Sequence, residues 1–417
     1  MMFKKLSIVV LAAAAMLALS ACGSSGSTSS KSGDEKQTVT YAIWSKDQGV
    51  TFQQLADQFH KKNPNITIKI QITPWDQYWT KLETAVTGGE AADVFWMNLP
   101  QFASYADQGI LAPLDEVKFD KDKFAIQFLD AYTYKGKLYG IPKDYDTNAL
   151  IYNKTLFKQA GINPPDDTWT WDTWRSAAKK LTNKSKGIYG MVLAPTYQGG
   201  YYDVIYQNGG SPFTKDGKKS AFNTPAVQEA LDFYEGFIKD GSGTKPSAVT
   251  GELGNALLTT GKGAMSITGS YAIAALFQDP YGKENLDIGP LPKGKTRATV
   301  SNSLANVIYA KSEHKAAARK WISFVSSKKA SEMFAEAGFM IPLYEGTQDP
   351  WVKLFAGKNT QVYVDALKYA VPLPSFKNSA AAVAVEQPEI TKAMQGEETM
   401  KQAAQNIYTQ ANAQLSK

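Results

Sequence analysis

At 417 residues the chain is long enough for two or three domains of roughly 150 residues each. Hydrophobic residues at 43% and charged residues at 20% are those of a folded protein and exclude a mostly disordered chain. A net charge of +6 is too weak and too evenly spread for a nucleic-acid partner, and 1 Cys with 2 His excludes a disulfide scaffold, a cysteine zinc site and an iron–sulfur cluster.

Residues 1–21 read as a signal peptide, with Lys4 and Lys5 ahead of an apolar run from Leu6 to Leu19 and the small pair Ser20-Ala21. The run is shorter than the roughly 20 residues of a membrane-spanning helix. The single cysteine follows at once, in Leu19-Ser20-Ala21-Cys22-Gly23, which resembles a bacterial lipobox. Cys22 is therefore expected to carry lipid and to tether the protein to the outer face of the cytoplasmic membrane. Residues 22–35 supply a Ser/Gly linker with a reach on the order of 20 Å.

Strand and helix then alternate. Thr38–Trp44 reads as a strand and Val50–Lys62 as a helix, and Ile66–Ile72 alternates strictly as a strand. A helix over Trp75–Val86 stops at Gly88-Gly89, a short strand covers Asp93–Trp96, and a helix runs from Gln101 to Gln108. Later come a strand at Asn148–Tyr152, helices at Thr155–Ala160 and Trp171–Leu181 (Thr170 its N-cap), a strand at Ile188–Leu193 and a helix at Pro225–Lys239. Strands at Ala264–Ile267 and Ala305–Tyr309 and helices at Gly269–Phe277, Glu313–Val325 and Glu398–Leu415 complete the series. Alternation without hairpin spacing predicts an α/β fold with largely parallel sheets in two lobes.

His60 and His314 both sit in solvated helix positions, so neither serves as a catalytic base. No HExxH, Walker A loop or strand-linked GxGxxG occurs. Aromatic and amide residues instead gather at strand ends and turns: Trp44, Trp96-Met97-Asn98, Tyr145-Asp146, Tyr197 with Tyr201 and Tyr202, and Tyr271. Ligands of open α/β sheets bind beyond the carboxyl ends of strands. Such a lining suits sugars, whose C–H faces pack on rings while Asp and Asn pair with hydroxyls. Two alternatives stay open on these residues: ferric iron held by the tandem tyrosines, and a surface glycosidase working with two carboxylates.

At Val39–Trp44, Gly88–Trp96, Tyr105–Leu111, Gly136–Pro142, Ile151–Lys154, Thr168–Leu181 and Gly261–Met265 through Tyr271, the chain resembles the extracellular solute-binding proteins of bacterial ABC sugar importers, the maltose-binding-protein-like family. The resemblance implies a two-lobe periplasmic-binding-protein-like fold of class II type, its lobes joined by crossing hinge strands near 144–148, 298–304 and 338–343. Lobe one would be 36–145 plus 304–335, and lobe two 148–298 plus 340–417. It implies a protein without catalysis or cofactor that acts as a monomer, captures a sugar or short oligosaccharide between the lobes and delivers it to the importer's membrane subunits. Carried over by motif, Trp44, Asp47, Trp96, Asp146, Tyr197 and Tyr271 would contact ligand, with Asn98, Tyr145, Tyr201 and Asn302 beside them. The family's late aromatic platform has no counterpart in the Ala-Ala-Ala-Val-Ala-Val run at 380–385, which leaves Trp75 and Phe339 to replace it.

Overall fold

The computed structural model describes residues 35–249 and 255–417, so the expected signal segment, Cys22 and nearly all of the linker lie outside the described residues. Residues Lys36–Lys417 form one compact unit built on two sheets. The strands, in chain order, are β1 (Gln37–Ile43), β2 (Ile66–Ile72), β3 (Val94–Asn98), β4 (Leu111–Ala112), β5 (Thr133–Tyr134), β6 (Lys137–Leu138), β7 (Gly140–Pro142), β8 (Asp144–Asn153), β9 (Met265–Gly269), β10 (Leu286–Gly289), β11 (Thr299–Asn302), β12 (Leu304–Tyr309), β13 (Ile341–Pro342) and β14 (Ala370–Pro372).

The first sheet runs β2-β1-β3-β12-β4, with β7 on β12. Its alternating strand β1 buries Val39, Tyr41 and Ile43. Strand β3 is buried at every position, because helices cover the sheet on both faces. The tyrosine hydroxyl of Tyr41 ties three strands together: it accepts from Trp96 Nε1 at 2.6 Å and donates to Asn306 Oδ1 at 2.6 Å.

The second sheet is organised around β8, a ten-residue strand with β10, β9, β11 and β13 antiparallel to it over successive stretches. The expectation of largely parallel sheets is corrected here. Among the strand pairs of the described residues, only β1–β2, β1–β3 and β11–β14 are parallel. The reason lies in the connections: after β11 the chain returns from the second sheet and β12 enters the first against the direction of β3, and after β7 the chain crosses to the second sheet, where β8 receives strands running the other way.

The chain passes between the sheets at closely spaced points. Strand β7 pairs with β12 in the first sheet, and β8 starts in the second at Asp144. Strand β11 ends at Asn302, and β12 begins in the first sheet at Leu304. Strand β13 lies beside the start of β8, with Ile341 opposite Tyr145.

Two local expectations change. Residues Ile188–Leu193 form no continuous strand; Tyr189, Met191 and Val192 make single bridges to Gly263, Gly243 and Ser266. The segment alternates between different neighbours and presses so close to the helix Trp171–Leu181 that a Cβ on Gly190 would lie 1.9 Å from the Ala178 carbonyl oxygen. The helix expected from Gly269 is instead the end of β9, then one tight turn at Ser270–Ala272, then a helix at Ile273–Gln278.

A cleft between the two sheets

A cavity of about 330 Å³ opens where the carboxyl ends of β1, β3, β9 and β11 meet the start of β8. Larger cavities exist, of about 400 Å³ beside Tyr189 and 560 Å³ beside Arg297, but residues of the first sheet's strands and their following turns line neither. Of the residues singled out from sequence, the cleft brings together Trp44, Trp75, Asn98, Tyr145, Asp146, Tyr271, Asn302 and Phe339.

One wall is aromatic. Trp44 follows β1 and is wedged among Trp75, Tyr78 and Trp96, with ring centroids 5.2, 4.9 and 4.9 Å away in edge-to-face contact. Trp75 opens the helix Trp75–Gly88 and is 47% exposed. Across the cleft Tyr271, 40% exposed, lies against Gly269, where an added Cβ would fall 2.2 Å from its ring. Glycine at 269 is what allows that ring its place.

The floor is polar and carries two carboxylates. Gln198 Nε2 donates to both carboxylate oxygens of Asp146 at 3.0 Å, and the Asn302 amide donates to one of them at 3.2 Å. Burial nonetheless pushes the Asp146 carboxyl up to about 8. Asp144 accepts from the Leu304 amide at 3.0 Å and pairs with Lys143. The Lys143 ammonium is itself buried. It donates to Gln48 Oε1 at 3.2 Å, sits 4.2 Å from the centre of the Trp96 ring, and is held below the ordinary lysine range by desolvation that Asp144 only partly offsets.

The structure places the other four sequence-predicted residues elsewhere. Asp47 is exposed in the first turn of the helix Lys46–Lys62, and its neighbour Gln48 faces the cleft instead. That helix starts earlier than its apolar spacing suggests because Ser45 caps it, accepting from the Gln48 amide. The Ser45-x-x-Gln48 spacing is a capping-box signal that the sequence carried. Trp96 is a core residue with no exposed surface, and it supports Trp44 from behind. Tyr197 is half-buried beside an adjoining cavity. Tyr201 is fully buried and donates to Glu386 Oε2 at 3.0 Å, while Tyr202 donates to Oε1 at 2.8 Å. Both phenols are thus committed to one carboxyl, and among the described residues no group of His, Cys, Asp or Glu could hold a metal ion. The iron reading loses its residues. Gln198 escaped notice because it sits in an irregular turn ahead of Gly199, whose φ of 71° bends the chain back toward Asp146.

Burial also raises Asp203 to about 7 and Glu386 to about 8. A carboxyl raised in the folded state stabilises fully below its unfolded pKa, and that contribution is lost as pH rises through the folded value. From these groups the unfolding temperature is expected to fall between about pH 5 and pH 8. Glu386→Gln should flatten part of that fall in a series of melts across pH; an unchanged slope would rule out Glu386 as a source.

The sequence pattern of the bacterial extracellular solute-binding protein family matches residues 43–332. An arabinooligosaccharide-binding protein of Bacillus subtilis is 27% identical over 369 residues, covering 81% of this chain and 80% of that one. Among solved structures, an ABC substrate-binding protein of Listeria monocytogenes in complex with cycloalternan superposes with a TM-score of 0.84 at 28% identity, covering 92% of this chain and 100% of that one. A solute-binding protein of Thermotoga lettingae bound with α-D-tagatose gives 0.80 at 25% identity, covering 91% and 100%. Two sheet-bearing lobes, a cleft at their strand ends and a match over most of the chain lead to one assignment: this protein belongs to the bacterial extracellular solute-binding proteins of ABC transporters.

Proposed function

We propose that the protein captures a sugar or short oligosaccharide in the cleft and passes it to the membrane subunits of an ABC importer. The observation that carries this is the facing of Trp44, Trp75 and Tyr271 toward Asp146, Gln198 and Asn302 in one cavity. Rings pack the C–H faces of a pyranose or furanose, and the carboxylate and amides take its hydroxyls. The oligosaccharide and tagatose ligands named for the relatives agree with this chemistry.

The lobes act as jaws about the crossings near 144–148, 298–304 and 338–343. Ligand docks on one lobe, and closure follows because the closed state offers it more contacts. Lobe one comprises 36–145 with 304–335, and lobe two 148–298 with 340–417. A single copy suffices, held at the outer membrane face by lipid on Cys22. Cys22→Ala should then release the protein into the medium.

The test is thermal unfolding against a panel of mono-, di- and trisaccharides. Ligand at a thousandfold its Kd adds about 4 kcal/mol of stability, read as a rise in unfolding temperature for one sugar class. That rise should shrink in Tyr271→Ala. No rise with any sugar would overturn the reading.

A further inference from the structure

The cleft does not end at its own walls. Trp75, Gln198 and Tyr271 also line a second cavity, of about 590 Å³, on the far side of the sill they form. Its outer wall is the helix Glu386–Gln395, which contributes Gln387, Thr391 and Gln395. These recur every four residues, so they make one polar stripe about 12 Å long. The opposite face of the helix buries Glu386, Glu389 and Ala393 and fixes the stripe's direction.

The chemistry of that lining is selective. Among the described residues, none lining the second cavity carries a formal charge; its polar groups are amides and hydroxyls, which both donate and accept as sugar hydroxyls do. The first cavity offers only carboxylates as charged lining groups, and the nearby Lys143 is committed to Asp144 and Gln48. Among the described residues, no side chain lining either compartment is cationic, and Asp146 would repel an anion once ionised; the Lys245 ammonium beside the second compartment donates to the Gln395 carbonyl at 3.2 Å.

We infer that the cargo is a neutral oligosaccharide of at least three units, with one terminal ring between Trp44 and Tyr271 over Asp146 and the following rings crossing the sill into the second compartment. This rests on the sugar reading and adds chain length and charge to it. The Thr391 and Gln387 side chains become length-determining groups, a role that sequence did not suggest.

The experiment is calorimetric titration with ladders of one to five units of neutral gluco-, galacto- and arabino-oligosaccharides, and with uronic-acid-terminated trimers of the same types. The expected result is an affinity that rises at least tenfold from two to four units in one series, with the matching uronate bound at least tenfold more weakly than the neutral trimer. Thr391→Trp, which fills the second compartment, should remove the gain from two to four units while its unfolding temperature stays put. Gln387→Trp, more exposed, serves if Thr391→Trp fails to fold. Equal affinity for two and four units in a series that binds, or an unaltered gain in a folded tryptophan variant, overturns the length assignment and leaves the sugar reading standing. A uronate bound as well as the neutral trimer overturns the charge assignment. Failure of every sugar to bind overturns the sugar reading itself, and this inference with it.

Discussion

Lys143→Met is expected to cost about 3–5 kcal/mol of folding stability, the usual effect of removing one member of a buried ion pair. Lys143 and Asp144 side chains are 1% and 8% exposed. Without the ammonium, the Asp144 carboxylate stays buried where the chain passes between the sheets, and among the described residues only the Leu304 amide remains to satisfy it. Removing both charges should be far milder, so Lys143→Met/Asp144→Asn is predicted to recover more than half the loss. Asp144→Asn alone should also be milder than Lys143→Met, because desolvation already holds the lysine below its ordinary range and it can lose its proton. The sign of its pH dependence follows. A lysine depressed in the folded state binds fewer protons there than when unfolded, so Asp144→Asn should gain stability as pH rises toward 10. Urea unfolding of the three variants at two pH values measures this. A double variant whose cost equals the sum of the two single costs would show that the pair is not electrostatically coupled.

Asp146→Ala should weaken sugar binding roughly a hundredfold. A carboxylate that accepts from a ligand hydroxyl contributes about 1.5–3 kcal/mol, and its loss also releases Gln198 and the Asn302 amide from their common acceptor. The pH dependence distinguishes a direct role from a structural one. The carboxyl is raised to about 8 by burial, so near neutral pH it is largely protonated. A sugar hydroxyl that donates to it favours the ionised form. Affinity should therefore climb from pH 6 to about pH 8 and then level off, with a proton released on binding. Asp146→Asn should bind with no such climb. Titration calorimetry in two buffers of different ionisation enthalpy reads the proton directly. A wild-type affinity flat from pH 6 to pH 9 would remove Asp146 from the ligand's partners.

These residues show where sequence reasoning reached and where it stopped. Strict alternation exposed Ile66–Ile72, and caps with apolar spacing fixed Trp171–Leu181 and Pro225–Lys239 at their observed ends. Each of those signals is local. The antiparallel pairings of β8 are not, since they join Asp146 to Asn302 across 156 positions of chain. Trp96 misled because a tryptophan at a strand end looks alike whether it faces a cleft or a covering helix. Only the second layer of packing, Trp44 in front and Tyr41 beside it, decides between the two. Lys143 gave no sign of itself, because lysine is ordinarily a surface residue and its partner is merely the next residue along. The 380–385 run, read from sequence as a missing aromatic, contributes Ala382 and Val383 to a buried helical face at Ser379–Ala384. The polar stripe that borders the cleft begins a few residues later, at Gln387.

Strand β12 sits between β3 and β4 in the first sheet, yet it is made long after both. The Tyr41 hydroxyl finds its acceptor on Asn306 only across 265 positions of chain. During synthesis, then, the first sheet has β1 to β4 but lacks β12 until strands β8 to β11 of the second sheet have emerged. Contacts of such sequence separation are slow to form, since the loop must close before they reward it. A nascent chain that stops short of Leu304 carries an unclosed sheet, with β3 unpaired on one side and β4 without its partner strand. Closure of the first sheet is thereby delayed to the last third of translation, by which point strands β8 to β11 of the second have already emerged.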